Sequence, residues 1–135
     1  MVVNPNKLGF EALHSNTEDA LITAQTMYVV LEASFNEAMQ LSKQNDNINH
    51  YCELIRVDST NRGILIAALG AKTSREAFAR QKQCNEEYHN FVSEHNDKYN
   101  KLLRHCNKYV NDSEYGKSFQ TIIDNAKSKY IQIER

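Results

Sequence analysis

From position 77 to 109 an apolar or aromatic residue returns every three or four places: Ala77, Cys84, Tyr88, Phe91, His95, Tyr99, Leu102, Cys106 and Tyr109, with Gln81 filling the one seven-residue step. Such spacing gathers side chains on one side of an α-helix and scatters them over both faces of a strand, so the stripe predicts a helix over about 74–111. At about 1.5 Å per residue this helix would run roughly 55 Å. That exceeds the span of a compact domain of this size, so we expect it either to bend near Glu94-His95-Asn96-Asp97 or to extend toward another chain.

One proline and four glycines in 135 residues leave few breakers, which removes the turn-rich β-sandwiches and low-complexity linkers. A first helix is expected after Ser15 or Asn16, with Glu18 and Asp19 in its first turn and Leu21, Ala24, Tyr28, Leu31, Phe35 and Ala38 inward. Tyr28-Val29-Val30-Leu31 is the most strand-like tetrapeptide, but it lies inside this stronger helical pattern. The polar run Gln44-Asn45-Asp46-Asn47 predicts an end to that helix and the start of a second, itself interrupted around Asp58-Ser59-Thr60-Asn61. Gly70 suits a helix C-terminus, and Thr73 or Ser74 can cap the long helix with Glu76 close behind. Ser113 is the expected cap of a last helix whose inner face is Phe119, Ile122, Ile123, Ala126, Tyr130 and Ile133. The predicted fold is an all-α antiparallel bundle of four to five helices with one long heptad-like helix, a single domain over 1–135 with a loosely ordered segment at 1–15.

Sixteen basic and seventeen acidic residues give a net charge of −1, but the distribution is uneven. Residues 1–67 hold four basic and eight acidic groups, a net of −4, and the remainder holds twelve and nine, a net of +3. Three cysteines, and an N-terminus without an apolar leader core, predict unpaired thiols in a cytoplasmic chain. The longest apolar run, Ile64 to Leu69, is too short to cross a membrane.

Chemical motifs are sparse. Glu86 and His89 have the Glu-x-x-His spacing of carboxylate-bridged metal bundles, but the motif occurs once where such sites use it twice. His105 and Cys106 are adjacent, and neighbours on a helix diverge by about 100°, so they do not form a thiolate and base. No phosphate-cradling glycine loop, Cys-x-x-Cys or Gly-x-Ser-x-Gly is present. His95 falls in the seam between Phe91 and Tyr99, where it reads as a hydrogen-bonded core histidine or, more sharply, as a pH-sensitive registry element.

The clearest functional pattern is cationic. Lys98, Lys101, Arg104 and Lys108 form a stripe at three- and four-residue steps, and Lys72, Arg75, Arg80 and Lys82 cluster near the start of the same helix. The expected activity is that of a small protein-binding factor, inhibitor-, adaptor-, immunity- or chaperone-like, acting without catalysis or cofactor. Its contacts would come from Lys98, Lys101, Arg104, Lys108, Arg75 and Arg80, and from a seam of Tyr88, Phe91, His95, Tyr99, Leu102 and Tyr109 that also suits a coiled-coil homodimer. The alternatives are a nucleic-acid-associated regulator using the stripe and, more distantly, a metal-binding bundle.

Overall fold

A computed structural model describes residues 16–133, so the expectation for 1–15 lies outside the described residues. Among the described residues the chain is all-α, a helical bundle of four helices with no strand: α1 (Thr17–Val57), α2 (Arg62–Ala68), α3 (Ser74–Asn107) and α4 (Gly116–Lys127).

Helix starts follow local chemistry. Asn16 caps α1, its Oδ1 accepting from the Asp19 N–H at 2.8 Å. Thr73 caps α3: its hydroxyl accepts from the Glu76 N–H at 3.1 Å, while the Glu76 carboxylate reaches back to the Lys72 N–H at 2.7 Å. α1 stops at Asp58, whose carboxylate gathers the N–H groups of Thr60 and Asn61, and Gly70 ends the α2 segment with φ +71°, the left-handed value glycine adopts freely.

Four expectations are corrected. The run Gln44-Asn45-Asp46-Asn47 does not end a helix, and α1 continues for 41 residues, so there are two long helices rather than one. Asn45 points into the buried interior there, and packing outweighs the few tenths of a kcal/mol that each poor helix former costs. α3 ends at Asn107 instead of 111, and Tyr109 follows in turns. α4 is entered through Asp112, not Ser113: the Asp112 carboxylate accepts from the Glu114 and Tyr115 N–H groups at 3.0 and 2.7 Å. It ends at Lys127, leaving Tyr130 and Ile133 beyond the helix and Tyr130 exposed.

Contacts gather in two compact units. The first comprises described residues 16–35 and His95–Ile131; the second comprises Asn36–Glu94 and 132–133. In the first, α1 and α3 pair antiparallel, Ala20 meeting His105 and Ser34 meeting His95, and α4 completes a core of Leu31, Leu102, Cys106, Phe119 and Ile123 around Ala20, Ala24 and Ala126. In the second, Asn49 meets Gln81 and Cys52 meets Ala77, again antiparallel, and α2 closes a smaller core of Ile55, Ile66, Ala71 and Ala77.

Candidate functional site

The seam residues divide by burial. His95 and Leu102 are fully buried, whereas Tyr88, Phe91, Tyr99 and Tyr109 are half-buried. Tyr109 stacks on Phe119 with ring centroids 5.0 Å apart, and Tyr99 lies 4.7 Å from Tyr130, so two of these tyrosines serve the first unit's interior.

His95 ties three segments of the first unit together. Its Nε2 bonds the backbone carbonyl of Lys129; because a carbonyl only accepts, that nitrogen carries the proton. Nδ1 is left to accept from the Ser34 hydroxyl at 3.0 Å. The neighbouring Asn96 holds the same C-terminal segment, its amide donating to the Ile131 carbonyl while its Oδ1 accepts from the Ile131 N–H at 3.2 Å. His105 Nε2 donates to the Ala20 carbonyl at 2.8 Å. Two of the five histidines are thus engaged in holding backbone, which is the satisfied-core reading of His95.

The cysteines are placed as small apolar residues. Burial pushes the Cys106 thiol up to about 11, and burial likewise raises Cys52 and Cys84, so all three are held protonated at neutral pH. Glu86 and His89 are both exposed. Among the described residues no three His, Cys, Asp or Glu side chains gather as a metal site would require, and no helix is long and apolar enough to cross a membrane.

The cationic residues are divided between the two units. Lys98, Lys101, Arg104 and Lys108 are exposed on the first unit, while Arg75 and Arg80 are exposed on the second. Antiparallel pairing also levels the charge asymmetry of the sequence: the acidic start of α1 packs along the basic end of α3. The described part of the first unit carries seven acidic and seven basic side chains, and that of the second carries eight and seven.

The surface that sequence reasoning missed is aliphatic. Ile22, Val29 and Val30 of α1 are 54%, 63% and 48% exposed. Thr26 and Ala33, also exposed, continue the face at helical spacing, and Glu18, Asp19 and Glu32 edge it. The signal was Tyr28-Val29-Val30-Leu31: at about 100° per residue, four consecutive apolar side chains cannot all turn inward. Leu31 takes the core and the two valines are left outside. No protein-family model, curated protein or solved structure matches the chain.

Proposed function

We propose that the chain is a small non-catalytic interaction factor, inhibitor-, adaptor-, immunity- or chaperone-like, that acts by covering a partner protein with the aliphatic face of α1. The exposure of Ile22, Val29 and Val30 on one helix face carries this reading. A contiguous apolar strip rimmed by charge is the surface that protein interfaces bury. The acidic edge of Glu18, Asp19 and Glu32 fits a partner whose apolar groove is bordered by lysine or arginine. The three protonated thiols, and His95 and His105 with their bonds to backbone carbonyls, fit structural roles that leave the binding surface to α1.

Nucleic acid is the second reading, supported by the exposed stripe of Lys98, Lys101, Arg104 and Lys108. The balanced charge around that stripe weakens it, because phosphate tracking rests on a local excess of cations.

Photo-crosslinkers placed at Val29 and at Lys101 in the native cell separate the two. The expected result is a discrete protein adduct at position 29, abolished by Val30→Asp, with none at 101. Nucleic-acid adducts at 101, lost when Lys101 and Arg104 are reversed to Glu, would establish the second reading. No adduct at either position overturns both.

A further inference from the structure

Within the second unit, Arg80, Glu87 and Glu94 recur at seven-residue steps on α3, each three positions after Ala77, Cys84 and Phe91 of the seam. They therefore share one heptad position on the flank of the seam, the kind of position whose charges select partner and orientation between helices. All three are exposed, and among the described residues neither Arg80 nor Glu94 has an ion-pair partner. Beside them lies a pocket of about 220 Å³ lined by Ile48, Leu69 and Cys84 together with Gln44, Arg80, Gln83 and Glu87.

We propose that this flank docks a second copy of the chain, α3 against α3, antiparallel about a two-fold axis at Glu87. Under that rotation each residue a given number of steps before Glu87 meets one the same number after it. Arg80 then faces the partner's Glu94, and Glu94 faces the partner's Arg80, so the row of charges is complementary to itself. A parallel arrangement would set Arg80 on Arg80 and Glu94 on Glu94. The partner's Phe91 comes level with Gln83, at the mouth of this open pocket, where a ring can rest on Ile48, Leu69 and Cys84 and the Arg80 guanidinium can lie over the ring. An isologous contact of this kind closes at two copies and leaves no unused half to propagate fibres. Like charges meet only at the axis, where the two Glu87 carboxylates approach each other.

The test is the molar mass of the full chain in solution across a concentration series, by sedimentation equilibrium, with far-UV circular dichroism confirming that every variant is helical. The unchanged chain is expected to dimerise, and Arg80→Glu and Glu94→Lys each to sediment as a monomer. The doubly reversed chain is expected to dimerise again, and so is an equimolar mixture of the two single variants, since both arrangements restore opposite charges at both contacts. Glu87→Gln is expected to tighten the dimer. A monomeric unchanged chain overturns the proposal. So does a dimer indifferent to these reversals but lost on Val29→Asp, which would put the second copy on α1.

Discussion

The two units are built on the same pair of helices and differ in what covers them. In the first, α4 lays Phe119, Ile123 and Ala126 onto α1 and α3, and the buried Ser34 and His95 are engaged, His95 with both Ser34 and Lys129, while the half-buried His105 holds Ala20. In the second, α2 is only seven residues long and contributes Ile66 to a core otherwise made of Ile55 and two alanines. Farther along the same two helices, from Asn36 to Asn49 and from Gln81 to Glu94, only Ala38, Asn45 and Val92 are buried. Two of the buried acceptors there, Asn45 Oδ1 and Asn85 Oδ1, have no hydrogen-bond partner among the described residues. A helix pair alone can bury one narrow seam; a third helix is what turns the seam into a core. The first unit thus has the stronger scaffold, while the second leaves half-buried Leu41, Ile48, Cys84 and Phe91 on its flanks.

Core truncation should expose this difference most strongly. Phe119→Ala is expected to destabilise by about 3–5 kcal/mol, against about 2 for Ile66→Ala, in urea unfolding followed by circular dichroism. Equal losses would erase the contrast. Glycine substitution should differ even in sign. A Cβ on Gly116 would lie 2.5 Å from the Val110 carbonyl oxygen, so Gly116→Ala should cost roughly 1–3 kcal/mol. Nothing lies within 4 Å of a Cβ on Gly63 in α2, so Gly63→Ala should stabilise by about 0.5–1 kcal/mol.

Buried polar groups give a subtler opposition. His95→Leu strands the Ser34 hydroxyl and the Lys129 carbonyl and is expected to cost about 2 kcal/mol. Asn45→Leu, which removes an acceptor already without a partner, should raise stability by about 1 kcal/mol. A destabilised Asn45→Leu would show the amide to be engaged and would remove that distinction between the units. The smallest effect concerns the carboxylates that hold the turns before α2 and α4. Hydrogen bonds from Tyr115 and Glu114 hold the Asp112 carboxyl below its usual value of 3.8, and those from Asn61 do the same for Asp58. Their contribution is therefore present above pH 3.8 and lost as pH falls through the lower folded values. Asp112→Asn, which can still accept these bonds, should flatten the acid limb of a stability–pH curve, and an unchanged limb would dismiss the Asp112 carboxylate as its source.

Much of the fold was legible because it rests on local chemistry. The seam from Ala77 to Cys106 needed only its spacing, and the stops at Asp58 and Gly70 and the cap at Thr73 needed only side chains that bond their own backbone. Where expectation failed, a distant contact had outweighed a local preference. Asn45 continues α1 because its side chain is buried in the second unit, and Asp112 rather than Ser113 holds the turn into α4 while accepting the Thr17 hydroxyl from across the unit at 3.2 Å. Of the candidate surfaces, the cationic stripe was visible in sequence. The aliphatic face was only half legible: the inward stripe of Leu21, Ala24, Tyr28, Leu31, Phe35 and Ala38 left Ile22, Val29 and Val30 off it, and only the packed unit shows that they stay exposed.

The sequence by itself determined that this chain is helical and where most of its helices begin, since periodicity, capping and the shortage of proline and glycine act within a few residues of each position. The tertiary structure decided which apolar residues off the predicted inward faces stayed exposed, as Ile22, Val29 and Val30 do. It also decided that an acidic segment would lie along a basic one, because those outcomes depend on pairing residues as far apart as Ala20 and His105, whose contact no local preference encodes.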